Sequence, residues 1–149
     1  MSENTLSQKE AEDLLKMIKN SLVDAISFPD KGDTTQFEVA GDTSKDLFSV
    51  HIFRGKINAK KYNFGARIKK NGIMLLELHI SPSNVHINPV TEEKITGSHW
   101  HIYSEAYGRK YAIPAEDIES ENFIENTITF FEKFHIIKKP TVHYQEELF

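Results

Sequence analysis

The stretch Met74–Ala112, MLLELHISPSNVHINPVTEEKITGSHWHIYSEAYGRKYA, decides how the rest of the chain is read. Four of the seven histidines fall within it, at His79, His86, His99 and His101. Successive side chains on a strand point to opposite faces. In a strand Met74–Ser81, Met74, Leu76, Leu78 and Ile80 share one face, and Glu77, His79 and Ser81 the other. In a strand His99–Tyr107, Trp100, Ile102, Ser104 and Ala106 stand opposite His99, His101, Tyr103, Glu105 and Tyr107. Each strand can bury an apolar side and present imidazoles, carboxylates and phenols on the other. Leu78, Trp100 and Ile102 are therefore expected to face helices, with His79, His99 and His101 together on the opposite, exposed side.

Working outward, Lys60–Lys69 alternates Tyr62, Phe64, Ala66 and Ile68 against Asn63, Gly65, Arg67 and Lys69. Asn71-Gly72 follows, a dipeptide that favours tight hairpins because both turn positions need positive φ. The two flanking strands are predicted to be antiparallel neighbours, with Arg67 and Lys69 on the side of Glu77 and His79. Phe48–Arg54 alternates in the same way, and Thr35–Ala40 is short and β-prone. Residues Ser81–Ser98 read as a loop, and Lys110–Ile113 as a last short strand. At the N-terminus, Ser7 and Glu10 form a Ser-x-x-Glu capping box ahead of apolar residues at helical spacing, which predicts a helix over Ser7–Ile26. A second helix is predicted from about Ser120 to Phe134, with Ser120 as its cap and phenylalanines on its buried face. The order is helix, antiparallel sheet of about five strands, helix. It predicts an α+β fold in a single domain spanning residues 1–149, with the C-terminal helix packed on the apolar face and a polar, His-rich face left open.

Composition narrows the function. With 39% hydrophobic and 27% charged residues the chain has the make-up of a water-soluble domain. A net charge of -4 argues against nucleic-acid binding through a broadly basic surface, though not against a local basic patch. There is no cysteine, so disulfide and thiolate chemistry are excluded and a metal site would have to use His and carboxylate ligands. The first residues lack the basic-then-apolar pattern of a signal peptide, and no apolar run approaches the length of a membrane span. The expected location is the cytoplasm, with no membrane partner.

Superposing the strand parities gathers His51, Arg67, Lys69, Glu77, His79, His99, His101, Tyr103 and Glu105 on one face. A solvated sheet face accounts for Arg67, Lys69 and Glu77. Paired histidines and tyrosines ask for more. Metal-free cleavage of RNA needs a base, an acid and a cation at the phosphate. His79, His99 and His101 are the acid–base candidates, Tyr103 and Glu105 would orient or share a proton, and Arg67 and Lys69 would bind phosphate. The spacing His99-x-His101-x-x-x-Glu105 also suits a divalent transition metal. It resembles the first metal motif of cupins, but the later motif that would supply a third histidine is missing. No tightly bound metal and no other cofactor is therefore expected.

The loop His86-Ile87-Asn88-Pro89 and the strand Trp100-His101-Ile102-Tyr103, followed by Glu105-Ala106-Tyr107 and Lys110-Tyr111-Ala112, carry a resemblance. Together they resemble an uncharacterised family of small bacterial and prophage proteins with an Asn-Pro loop and a His-x-His-Ile-Tyr strand. The layout of strand, His-containing loop and His-x-His strand is distantly similar to toxin ribonucleases of toxin–antitoxin pairs. The resemblance implies a metal-independent ribonuclease or phosphodiesterase of toxin type, with RNA or an antitoxin as partner. One alternative is a non-catalytic phage protein that binds and inhibits a host defence protein. The other is a His/Glu metal-binding protein.

Overall fold

A computed structural model describes residues 5–43, 45–116 and 118–144. Its centre is an antiparallel meander of β3 (Thr34–Ala40), β4 (Leu47–Arg54), β5 (Tyr62–Ile68) and β6 (Met74–Ile80). Next to β6 lies β9 (His99–Ile102), and β10 (Ala112–Pro114) forms the edge beyond it. On the far side, β1 (Lys19–Ser21) pairs with β3, and β11 (Ile136–Lys138) closes the sheet in parallel with β1. The order is β10-β9-β6-β5-β4-β3-β1-β11. The fold is α+β, as the patterning predicts, but the sheet has eight strands where about five are expected. The additional strands are three residues long, too short for alternation to register.

Two small sheets complete the β structure. One pairs β2 (Ala25–Ser27) in parallel with β12 (Thr141–His143). The other is the hairpin of β7 (Val85–Ile87) and β8 (Lys94–Thr96), which lies within the segment expected to be a loop.

Alternation puts Phe37, Phe48, Val50, Ile52, Phe64, Leu78 and Trp100 into one core, all buried. Helix α2 (Phe123–Lys133) covers that face. Phe130 stacks on Phe64 at 5.3 Å and lies parallel to Trp100 at 6.2 Å, while Phe131 meets Phe37 edge-on at 5.5 Å. Phe134, just past the helix, meets Phe48 at 5.4 Å. Losing one such ring typically costs about 3–5 kcal/mol. Ser120 does not cap this helix; its carbonyl accepts from the Tyr62 hydroxyl, and the cap position is Asn122.

Helix α1 (Gln8–Lys16) begins with the expected capping box: Ser7 Oγ accepts from the Glu10 amide, and Glu10 reaches back to the Ser7 amide. It ends at Lys16, ten residues earlier than the sequence suggests, and Met17 turns extended. Ile18 and Leu22, which extend the helical stripe on paper, are half exposed. Lys19 supplies the stop. Its buried ammonium donates to the carbonyls of Leu15, Met17 and Phe134, tying the end of α1 to the end of α2. The Asn71-Gly72 turn also differs in detail. β5 and β6 are antiparallel neighbours, but only Gly72 has positive φ, so the loop is wider than a two-residue hairpin. Of the C-terminal tail, residues 145–149 lie outside the described residues.

Candidate metal centre

The register of β5, β6 and β9 sets the polar face. Asn63 stands opposite His79 and Gly65 opposite Glu77. Across the next seam His79 pairs with His99 and Glu77 with His101. His79, His99 and His101 thus meet on the side of the sheet away from α2, as the parity predicts. Ring centroids are 5.2 Å apart for His79 and His99, 4.8 Å for His79 and His101, and 5.0 Å for His99 and His101. One ring nitrogen from each lies within 4.8 Å of the other two.

A fourth imidazole comes from the β7–β8 hairpin. The His86 ring stacks on His99 at 5.5 Å and meets His101 edge-on at 4.9 Å. Asn88 holds the hairpin in place. Its buried amide donates to the Ala112 carbonyl at 2.8 Å, and its oxygen accepts from the Ala112 amide at 2.7 Å, as a neighbouring strand would. This exchange gives a physical reason for an Asn-Pro loop and a Lys-aromatic-Ala segment to occur together.

Each ring has one nitrogen committed. The Nδ1 of His99 faces the Gly97 carbonyl at 2.9 Å, and the Nδ1 of His101 faces the Arg109 carbonyl at 2.8 Å. His86 Nε2 faces the Lys110 carbonyl at 2.9 Å. A carbonyl only accepts, so each of these nitrogens carries the proton and the other ring nitrogen keeps its lone pair. His79 Nε2 lies 3.2 Å from Glu77 Oε1. Burial would raise the Glu77 carboxyl, but hydrogen bonds from His79 and Arg109, and their charges, outweigh it and hold it at about 2. Glu77 is therefore ionised and accepts from His79 as well. Arg109 also clamps it with two nitrogens, Nε at 2.8 Å and Nη2 on the other oxygen.

The same surroundings favour the neutral form at His51, His99 and His101. Burial lowers the pKa of His101 to about 4, helped by the neighbouring His79. Burial also lowers His99, against the opposing pull of the Gly97 carbonyl. His51 is lowered by burial and then by the Arg67 charge. Its ring lies against Gly65, where an added Cβ would come to 2.2 Å from His51 Cε1.

Other expected site residues lie elsewhere. β9 ends at Ile102 and the chain turns at Ser104–Gly108, so the parity does not carry through to Tyr107. Tyr103 is buried in the core cluster, its hydroxyl accepting from the Leu6 amide. Glu105 accepts from the Gln8 amide at the start of α1, so it does not join His99 and His101 as a ligand. Lys69 lies past the end of β5 and pairs with Glu38. Arg67 stays on the polar face near His51. His101 is 6% exposed, covered by the Arg109 backbone and the His86 ring, and not exposed as expected. The third imidazole that the sequence spacing does not offer comes from the adjacent strand, at His79. Arg109 and His86 complete the surroundings; both sit in loop or hairpin segments where parity gives no signal.

The fold and this face define a class: an α+β protein with a convergent imidazole cluster on the side of an antiparallel sheet away from its C-terminal helix. The chain belongs to a family of unknown function (DUF6978), whose model matches residues 6–136, a span that contains every residue of the cluster. No curated protein and no solved structure matches it. Among the described residues no helix is long and apolar enough to cross a membrane.

Proposed function

We propose that this protein is a metalloprotein in which His79, His99 and His101 hold one divalent transition-metal ion. What carries the reading is that one ring nitrogen from each of the three histidines lies within 4.8 Å of the other two, and that each ring also has a nitrogen bonded to a carbonyl or a carboxylate. Burial works against the proton at His99 and His101. The outer bonds match the way metal-bound histidines are usually fixed, with the non-ligating N–H on a carboxylate or backbone carbonyl. His79 has Glu77 in that role and Arg109 behind it. A tetrahedral zinc site spaces its nitrogens about 3.3 Å apart, from Zn–N bonds of about 2.0–2.1 Å. Small ring rotations would close the cluster onto an ion.

Imidazole-only sites suit zinc, copper, iron or nickel. Three protein ligands leave a coordination position open, the arrangement of catalytic rather than structural sites. The open position would face a cavity of ≈ 450 Å³ lined by His79, His86, His99 and His101. This favours metal-assisted over metal-free acid–base chemistry, since His101, lowered to about 4, is a poor proton donor near neutral pH. The test is calorimetric titration of purified, chelator-treated protein with zinc. One ion per chain is expected, with binding abolished in His79→Ala and in His99→Ala and retained in His143→Ala. Absence of stoichiometric binding of zinc, cobalt, nickel and copper alike would refute the reading.

A further inference from the structure

The cavity in front of the cluster is lined by one cation, Lys61, and by the amides of Asn63 and Asn84, with Phe53 and Val85 as apolar wall. No aspartate or glutamate is among its lining residues. The closest carboxylate of the cluster, Glu77, is 3% exposed and already bound by Arg109 and His79. Lys61 makes no ion pair among the described residues, whereas its neighbour Lys60 faces Glu121. The side chains of Asn63 and Asn84 are half-buried and make no hydrogen bond among the described residues. A half-buried amide that faces a cavity without a partner is poised to bond a ligand.

We propose that this cavity binds a small organic anion, a carboxylate or phosphate ester bearing an apolar group. Its charged end would sit between the imidazole cluster and Lys61, and its apolar end against Phe53 and Val85. The inference rests on the metal reading for one of its two cationic partners; Lys61 and the amides supply the other independently. Charge sets the sign of the ligand, because a bound divalent ion and an ammonium with no carboxylate between them need a negative partner. Size sets the rest. A cavity of ≈ 450 Å³ is far larger than a bare phosphate or acetate needs and falls within the range of small-molecule sites. Phe53, 42% exposed, and Val85, 58% exposed, leave an apolar wall that a purely polar ion would not cover. The role given to Arg67 and Lys69 by the sequence thus passes to Lys61, which shares the polar parity of Asn63, Gly65 and Arg67 one residue before β5 begins.

The experiment is a titration of cobalt-loaded protein with phenyl phosphate, benzoate and the neutral benzamide. Binding is followed by calorimetry and by the visible cobalt spectrum. Either or both anions are expected to bind and change the spectrum, benzamide is expected not to, and the tighter anion assigns the head group. Lys61→Ala should weaken anion binding about tenfold while its cobalt spectrum without anion matches wild type. Equal binding of benzamide, no binding of either anion, or anion affinity unchanged by Lys61→Ala would overturn the inference. If neither cobalt nor zinc, nickel or copper loads, the metal reading falls alone. The same titration on metal-free protein then decides the anion site: binding that Lys61→Ala weakens upholds it, and no binding overturns it.

Discussion

His101 shows what burial does to a side chain that parity alone would leave in water. Its Nδ1–H is bonded to the Arg109 carbonyl, and neighbouring rings pack against its faces and edges. His101→Ala should therefore destabilise the fold by about 1–3 kcal/mol, from a lost buried hydrogen bond and lost packing, where an exposed histidine would cost about 0.5 kcal/mol or less. Urea denaturation of metal-free protein measures the difference. Glu77 gives a second outcome. Its folded pKa of about 2 lies below its ordinary value of 4.5. Its contribution is thus fully present above pH 4.5 and is lost as pH falls through about 2, on the order of 3 kcal/mol in all. Stability measured from pH 6 down to 2 should fall with that profile, and Glu77→Gln should flatten it. A wild-type slope in Glu77→Gln would show that the acid loss originates elsewhere.

At the scale of elements, the strands of the meander were legible to within about two residues, because alternation over seven or eight residues is a strong signal. The helices were less so. The capping box placed the start of α1, but the apolar spacing ran on through Leu22, and only a contact between distant residues ends the helix. That contact is Lys19, whose ammonium fills three carbonyls from two helix ends. The Lys19 ammonium also lies 3.8 Å from the centre of the Phe134 ring. Lys19→Met should cost about 2–4 kcal/mol, as buried carbonyls lose their donors. Burial lowers the pKa of Lys19 to about 7, from 10.5 in the unfolded chain. The unfolded chain holds this proton more tightly through that window, so stability should rise with pH from about 7 to 10.5. Chemical denaturation across that range should show the rise in wild type and not in Lys19→Met.

Over the whole molecule, the sequence told which residues share a face but not what lies over it. His79, His99 and His101 follow from strand parity. Their enclosure depends on the β7–β8 hairpin, which Asn88 pins to Ala112 across 24 residues of chain, and on Arg109 reaching Glu77 from a turn. No local periodicity encodes either contact. The parallel pairing of β1 with β11 joins the two ends of the chain and is equally invisible in the pattern. Tyr103 and Glu105 left the site because one turn interrupts the strand, and the imidazole that joins His99 and His101 comes from β6 instead. The central claim is that lone pairs of three specific imidazoles meet at one ion. Nitrogen-15 NMR of histidine-labelled protein during zinc addition tests it most directly. The account predicts that Nε2 of His99, Nε2 of His101 and Nδ1 of His79 shift at one equivalent of zinc, while the protonated nitrogens of the same rings keep their hydrogens. Unchanged spectra, or zinc-dependent shifts confined to His135 and His143, would contradict it.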